Sequence, residues 1–260
     1  MAIYAVSDLH GRYDLWEKIK AAVQLNDILY NLGDNIDRGP DGIKIILDIM
    51  KMDNVRCIRG NHEMMAIKAL PFLLANKFNS PNVDQWFWNG GAATWNQLEA
   101  IYHEDNDRTF KDHCYNIINF FKYNMKDDYS HVFNTANNKH IVLLSHAGYT
   151  LGRKQEAEVG WDRDHFFDKW CPSFDIPLVQ YGSWNTKNIL LVHGHTPVQF
   201  LKQNLELVKT KIDFSTPPQI IRYCDGHKID IDLGSIVSNR TALLNLETLE
   251  ATYFESESSD

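Results

Sequence analysis

Residues 3–38 read IYAVSDLHGRYDLWEKIKAAVQLNDILYNLGDNIDR and contain two short β-type runs around one helical pattern. The runs at 3–7 and 28–32 are bounded by polar residues, and between them the apolar residues recur at helical spacing. Each run leads into a polar cluster, SDLHG or GDNIDRG. The stretch therefore predicts two parallel strands joined by a helix, with both clusters at one edge of the sheet.

The same alternation continues along the chain. A helical pattern at 41–52, a strand at 55–58 before RGNHE and a helical pattern at 63–74 complete a βαβαβα series. Later strands are predicted at 140–144 before SHAG and at 189–192 before HGHTP. Four further β-type runs lack long intervening helices, so we expect them to form an antiparallel or mixed second sheet; they lie at 220–223, 228–231, 241–246 and 251–254.

The stretch from about 79 to 128 is aromatic and helical in pattern. We interpret it as a helical insertion that covers the sheet of a single domain spanning residues 1–260, with its aromatic residues serving mainly for packing. The segment WNGG at 88–91 is different, because paired glycines among aromatic residues can mark a loop near a site.

Composition narrows the class of protein. The chain has 260 residues, of which 44% are hydrophobic and 12% aromatic, enough to bury a full core. A net charge of −8 disfavours a general binder of nucleic acids or anionic membranes. The sequence has no apolar run of the roughly 18 residues that a membrane span needs and no leader pattern, so we expect a cytoplasmic protein. Four cysteines without a CxxC pair are expected to be reduced.

Metal-type ligands follow five of the predicted strands. Asp8 and His10 are two residues apart after the first strand, so both side chains share a face and can reach one ion. A carboxylate at Asp34 can bridge two cations through its two oxygens. Asp, Asn and His are each common in ordinary turns, but their occurrence at five strand ends indicates a metal site. The remaining ligand candidates are Asn61, His146 and His195.

Arginines within or beside these clusters indicate that the metal site binds phosphate. Arg38 and Arg59 lie in the second and third clusters, and Arg163 lies in WDRD. A guanidinium group presents a planar fork that matches two phosphoryl oxygens, whereas a structural arginine would pair with a surface carboxylate.

The motifs DLHG, GDNIDRG, RGNHE, SHAG and GHTP resemble, in order and spacing, those of the phosphoprotein phosphatases in the calcineurin-like metallophosphoesterase superfamily. The chain is most similar to the bacterial and bacteriophage-lambda-type serine/threonine phosphatases, over about residues 8–197. The resemblance implies an α/β fold with two mixed β-sheets in a sandwich flanked by helices. It also implies two divalent metal ions, with Mn²⁺ favoured and Fe or Zn²⁺ as alternatives.

Carried over to matching positions, the resemblance implies that Asp8 and His10 bind the first metal and that Asp34 bridges. Asn61, His146 and His195 would bind the second. A metal-activated water would attack phosphorus, and His62, oriented by Asp37, would protonate the leaving group. The phosphate would be held by Arg38, Arg59 and Arg163. His193 is not expected to be a ligand, and Ser7 stands where many relatives carry glycine.

Two other functions remain open. A symmetrical diadenosine tetraphosphatase shares the fold and the metals, but that group tends to lack the aspartate of DRG and the GHTP ending, which this chain has as Asp37 and Thr196-Pro197. A non-catalytic metal-binding module would be expected to lose a bridging carboxylate or the acid histidine. We therefore expect a serine/threonine protein phosphatase whose substrate is a phosphorylated protein or a small phosphoester. The sequence does not decide the oligomeric state.

Overall fold

The structure is a computed structural model, and it describes residues 1–104, 106–134, 139–148, 189–204, 216–224 and 226–256. Within these ranges, no helix combines the length and apolar character needed to cross a bilayer. The strands are β1 Ile3–Val6, β2 Ile28–Asn31, β3 Val55–Cys57, β4 Asp128–Asn134, β5 Lys139–Ser145, β6 Ile189–His193, β7 Ile221–Tyr223, β8 Lys228–Asp230, β9 Arg240–Asn245 and β10 Ala251–Glu255.

Helices connect the early strands and fill the middle of the chain. They are α1 Tyr13–Ala22, α2 Gly42–Ile49, α3 Asn61–Leu74, α4 Pro81–Trp88, α5 Gly91–Ile101, α6 Asp107–Asn119, α7 Val198–Asn204 and α8 Ser235–Ser238, and a π-helix, Phe120–Asn124, continues α6. Helices α4 to α6 thus occupy most of the aromatic stretch. Its description as an insertion stays a prediction.

The first sheet has the strand order β10-β9-β1-β2-β3. Strands β1, β2 and β3 are parallel, as the βαβαβ pattern predicts. On the other side of β1, β9 pairs in antiparallel fashion, with Ala5 opposite Leu244, and β10 pairs with β9. The expectation that the last four strands share a second sheet is therefore wrong for β9 and β10. This hairpin pairs with the open edge of β1, and β-type runs alone do not specify which edge a hairpin joins.

The second sheet has the strand order β4-β5-β6-β8-β7. Strands β5, β6 and β8 are parallel, while β4 and β7 are antiparallel edge strands. No strand is predicted at the position of β4, which begins where the predicted helical stretch ends, at about residue 128. Both sheets are consequently mixed.

The two sheets pack face to face through apolar side chains. Ala5 of β1 and Leu32, which directly follows β2, belong to the same buried cluster as Val142, Val192 and Ile229 of the second sheet. A larger cluster lies on the other face of the first sheet, where helices α1 to α6 contribute most of the side chains. The parallel strands β1, β2, β3, β5 and β6 direct the loops that follow them to a common edge.

Leu244→Ala tests the placement of β9 within the sandwich. Leu244 is fully buried between the sheets, so its truncation should lower the free energy of unfolding by about 2–5 kcal/mol. Urea denaturation measures this difference. Leu25→Ala is the matched control, because Leu25 is 91% exposed and should change stability by no more than about 0.5 kcal/mol. Equal stability of the two variants would contradict this packing.

Candidate metal centre

The six predicted metal ligands come together at the edge where the parallel strands end. Asp8 and His10 follow β1, Asp34 follows β2, and Asn61 begins α3 just after β3. The remaining two, His146 and His195, follow β5 and β6. All six are buried, with exposed fractions between 0% and 7%. Five separate loops thus place nitrogen and oxygen donors in one small volume.

Asp34 lies at the middle of this arrangement. Its Oδ2 is 3.3 Å from His146 Nε2, 3.7 Å from His10 Nε2 and 3.8 Å from His62 Nε2. Two groups of three residues, in each of which the potential ligand atoms lie within 4.8 Å of one another, share this carboxylate: one adds His10 and His62, the other His146 and His195. A carboxylate common to two such groups can bridge two ions.

Asn61 joins the two histidines of the second group. Its Oδ1 accepts hydrogen bonds from His146 Nε2 at 2.9 Å and from His195 Nδ1 at 2.8 Å. A neutral amide oxygen with two converging imidazoles is a donor set suited to Mn²⁺, Fe or Zn²⁺.

The surroundings of these donors fit divalent cations. His10 Nδ1 donates to Ile36 O at 3.0 Å and His146 Nδ1 donates to Leu32 O at 2.8 Å, so Nε2 of each ring faces the cluster. Metal-binding histidines are commonly fixed in this way by a carbonyl behind the ring. Asp8 Oδ1 is buried and has no hydrogen-bond partner in the described part of the chain. Asp8 is in neither group of three, so its role as a ligand stays a prediction.

Strong electrostatic coupling accompanies the burial of these groups. Burial raises the pKa of Asp34, but the imidazoles of His146 and His62 lower it more, and the pKa ends well below its ordinary value. Burial opposes the charge on His146, yet Asp34 raises its pKa to about 10. Burial also raises the pKa of Asp8 to about 6, against the effect of His146. A carboxylate at Asp34 is thus stabilised by positive charge on its neighbours.

Two glycines allow the backbone to approach the carboxylates. A Cβ at Gly60 would lie 2.1 Å from Asp34 Oδ1, and a Cβ at Gly194 would lie 2.0 Å from Ser7 Oγ and 2.1 Å from Asp8 Oδ2. Side chains cannot be accommodated at such distances. The glycines of RGNHE and HGHTP are therefore required by the close packing of the loops around Asp34 and Asp8.

Several of the site residues have strained backbones. Positive φ angles, a region that favours glycine, occur at Asp8, His10, Asp34, Asp37, Arg38 and His195. Such a conformation costs about 1–3 kcal/mol per residue and persists only where the surroundings enforce it. These φ angles are not predictable from the motifs.

Glu63 was missed as a contributor by the sequence analysis. Its buried carboxylate accepts hydrogen bonds from the backbone N–H groups of Gly60 at 2.9 Å, Asp34 at 3.0 Å and Asn35 at 2.8 Å. It therefore ties the loop after β2 to the start of α3. Glu63 stands three residues after Gly60, the N-cap of α3, and this capping-box spacing is the sequence signal that could have indicated it.

His62 and Asp37 form a fully buried pair. His62 Nδ1 donates to Asp37 Oδ2 at 2.7 Å. Burial lowers the pKa of His62, but Asp34 and Asp37 more than offset this, so the pKa is raised above its ordinary value. The structure thus brings the predicted proton donor and its orienting carboxylate into direct contact beside Asp34.

Arg38 lies against the histidines, whereas Arg59 pairs elsewhere. Arg38 Nη1 is 2.8 Å from His10 Nε2 and its Nη2 is 3.0 Å from His62 Nε2. Arg59 forms an ion pair with Asp127 at 2.5 Å, which is the arrangement expected of a structural arginine. Its phosphate role stays a prediction that requires this ion pair to break. Arg163 lies outside the described residues.

The two ring nitrogens of His193 form hydrogen bonds with Gly194 and Tyr223. Its Nδ1 donates to Gly194 O at 3.0 Å, and its Nε2 accepts from the hydroxyl of Tyr223 at 2.7 Å. Both ring nitrogens are therefore engaged, in keeping with its omission from the predicted ligand set.

The chain is similar in sequence to known proteins. Residues 1–231 match the family model described as calcineurin-like phosphoesterase. Serine/threonine-protein phosphatase 2 of Escherichia coli (strain K12) is 29% identical over 171 residues, 62% of this chain and 68% of that protein. A symmetrical bis(5'-nucleosyl)-tetraphosphatase of Delftia acidovorans is 31% identical over 97 residues, 33% of this chain and 34% of that protein.

A solved structure supports the fold. A protein serine/threonine phosphatase from Saccharomyces cerevisiae, described as similar to human phosphatase PP5, superposes with a TM-score of 0.52 at 13% identity. The match covers 100% of this chain and 81% of that one. The predicted α/β fold with two mixed sheets is confirmed.

Gly194→Ala should disrupt the metal centre. The added methyl group would displace Asp8 or Ser7, because both lie where the new Cβ would stand. We expect weaker Mn²⁺ binding by isothermal titration calorimetry. Gly226→Ala is the control: no atom lies within 4 Å of the new Cβ, although the positive φ of 86° at this position, which position 194 does not share, disfavours alanine. Unchanged Mn²⁺ binding by Gly194→Ala would contradict the close approach at Asp8.

Proposed function

The chain belongs to the calcineurin-like phosphoesterase family, and on that premise we propose that it is a serine/threonine protein phosphatase dependent on two divalent metal ions. The family resemblance found in the sequence is confirmed, and a metallophosphoesterase activity follows from it. The observation that carries the finer proposal is the contact between the buried His62–Asp37 pair and the Asp34 cluster, 2.7 Å within the pair and 3.8 Å from His62 to Asp34.

The cations would be held by the buried carboxylates, the amide and the imidazoles. We assign Asp8, His10 and Asp34 to the first ion, and Asp34, Asn61, His146 and His195 to the second. When bound, two divalent ions lower the pKa of a coordinated water and offset negative charge on the phosphoryl oxygens. Mn²⁺ suits these oxygen and nitrogen donors, and Fe and Zn²⁺ are alternatives.

Arg38 would bind the phosphoryl group. Its two terminal nitrogens contact His10 and His62, so the guanidinium already lies at the cluster with its fork directed into it. A substrate phosphate would replace these histidine nitrogens as the acceptors, because a charged oxygen pair is the better partner for a guanidinium. Arg59 and Arg163 remain further candidates for the same phosphate.

His62 would donate the proton to the leaving oxygen. The bond from Nδ1 to Asp37 fixes the ring, so Nε2 is the nitrogen that faces Asp34 and the site. A proton held at Nε2 can pass to the alkoxide of serine or threonine as the ester bond breaks. Water attacks phosphorus directly in this scheme, and no phosphoenzyme forms.

The proton donor also favours a phosphatase over the dinucleotide hydrolase. An alkoxide is a strong base and leaves poorly without a proton, whereas a nucleotide phosphate is a much weaker base. A chain with the buried Asp37–His62 pair is thus equipped for esters of alcohols. The tetraphosphatase remains the second candidate, since a relative of that name is 31% identical over 97 residues.

A three-substrate assay tests the proposed function. Metal-stripped protein with Mn²⁺ restored should hydrolyse p-nitrophenyl phosphate and a phosphothreonine peptide, with diadenosine tetraphosphate turned over more slowly. A chelator should abolish each activity. Dominant cleavage of diadenosine tetraphosphate would transfer the proposal to the second candidate. Hydrolysis that persists without metal would contradict the mechanism, and Mn²⁺-bound but inactive protein would favour a binding module.

His62→Asn tests the proton donor. The variant should lose about 10²- to 10⁴-fold in kcat on the phosphothreonine peptide, because an amide cannot supply the proton. It should still bind Mn²⁺, which calorimetry measures. The matched control is His103→Asn, since His103 is an exposed surface histidine whose replacement leaves the cluster intact. Full activity of His62→Asn would refute the assignment.

A further inference from the structure

The aromatic stretch contributes two side chains to the carboxylate of Asp37. Trp86 Nε1 in α4 donates to Asp37 Oδ2 at 2.8 Å, and Thr94 Oγ1 in α5 donates to Asp37 Oδ1 at 2.6 Å. The Thr94 hydroxyl also accepts from the Asp37 backbone N–H at 2.9 Å. Both oxygens of a fully buried carboxylate are therefore held by residues outside the sequence motifs.

We propose that Trp86 and Thr94 are positioning residues for the proton-donor pair, fixing the Asp37 carboxylate so that Oδ2 is presented to His62 Nδ1. The inference rests on the proposed function of His62. It extends the role of the aromatic stretch, which the sequence analysis interprets mainly as packing, to the orientation of the reacting imidazole.

The geometry of the three donors supports this role. The indole N–H can only donate, so Trp86 requires a lone pair on Asp37 Oδ2. This is the same oxygen that accepts the hydrogen bond from His62 Nδ1. Thr94 prevents rotation of the carboxylate by holding the other oxygen. Because both Asp37 oxygens are held, His62 Nδ1 donates to Oδ2 in a fixed direction, and this orientation turns Nε2 toward Asp34.

The WNGG segment, residues 88–91, lies between Trp86 and Thr94 and packs closely against their surroundings. A Cβ at Gly91 would lie 2.4 Å from the Trp86 ring, so only glycine lets the start of α5 pack directly on the indole. Gly90 O accepts from the Arg38 backbone N–H at 3.2 Å. Asp37 and Arg38 both have positive φ angles, 69° and 66°. The backbone of the WNGG segment thus supports the strained turn at Asp37 and Arg38, and Trp86 and Thr94, on either side of the segment, donate to the Asp37 carboxylate.

Trp86 and Thr94 could instead serve only to pack the core, in which case their replacement would not affect one step of the reaction more than another. A packing role and a positioning role therefore predict different effects of the leaving group on the loss of activity. Phenyl phosphate and p-nitrophenyl phosphate have similar shapes, but phenolate is the stronger base and depends more on a donated proton. Misplacement of His62 should therefore reduce turnover of phenyl phosphate more than that of p-nitrophenyl phosphate, whereas general damage should reduce both alike.

The test compares Thr94→Val, Thr94→Ser and Trp86→Phe with the wild type on both esters. Valine has the shape of threonine without the hydroxyl, and phenylalanine keeps a ring against Gly91 without the indole N–H. We expect Thr94→Val and Trp86→Phe to lose about tenfold or more in kcat on phenyl phosphate and a smaller factor on p-nitrophenyl phosphate. Thr94→Ser should restore the wild-type ratio.

When Thr94→Val is combined with His62→Asn, it should cause no further loss that is larger on phenyl phosphate than on p-nitrophenyl phosphate. Thr94 would act through His62, and the effects of two residues that act through each other are not additive. Equal losses on both esters, no loss, or an undiminished selective effect without His62 would each overturn the proposal. Failure of both Thr94→Val and Trp86→Phe to fold would also overturn it, since it would assign these residues to the core alone.

A measurement that does not depend on catalysis can test the positioning role separately from the proposed phosphatase function. The His62 Nδ1 proton can be followed by ¹H NMR and assigned by its absence in His62→Asn. Its resonance should move upfield or broaden in Thr94→Val and return in Thr94→Ser, whether or not the protein hydrolyses either ester. An unchanged resonance in Thr94→Val would overturn the positioning role. Wild-type protein inactive on every ester would overturn the proposed function instead.

Discussion

The carboxylate of Asp34 must remain ionised although it is only 2% exposed, and the rest of the site follows from that requirement. A buried anion is stable only when opposite charge or donors surround it. The imidazoles of His146, His62 and His10 surround Asp34 Oδ2, and the His62 backbone N–H donates to Oδ1 at 3.0 Å. Two of these imidazoles, His10 and His146, are also predicted metal ligands, so the surroundings that stabilise the carboxylate include donors available to hold cations.

The sandwich supplies the rigidity that this concentration of polar groups needs. Residues with positive φ angles in the loops after β1, β2 and β6 hold polar side chains toward the centre, at a cost in backbone strain. The buried strands of the two sheets and the glutamate contacts at the start of α3 fix these loops. The packing that stabilises the two sheets therefore also holds the loops at the strand ends in the positions that the site requires.

The motif-bearing part of the site could be predicted from sequence, because βαβ repetition indicates which loops share an edge. The predicted ligands and the His62–Asp37 pair lie in such loops or, for Asn61 and His62, in the first turn of the following helix α3. Long-range partners could not be predicted in this way: Trp86, Thr94 and Glu63 contact the site through tertiary packing, which periodicity does not encode. The pairing of β9 with β1 and the ion pair of Arg59 with Asp127 likewise depend on which surfaces meet in space.

The most direct test of this account is a calorimetric titration of Mn²⁺ into wild-type protein and Asp34→Asn. We expect two bound ions per wild-type chain and markedly weaker binding of both in the variant, because an amide carries no charge to share between two cations. Asp41→Asn, in the turn before α2, should bind as the wild type does. Two ions held by Asp34→Asn with unchanged affinity would contradict the central role of this carboxylate.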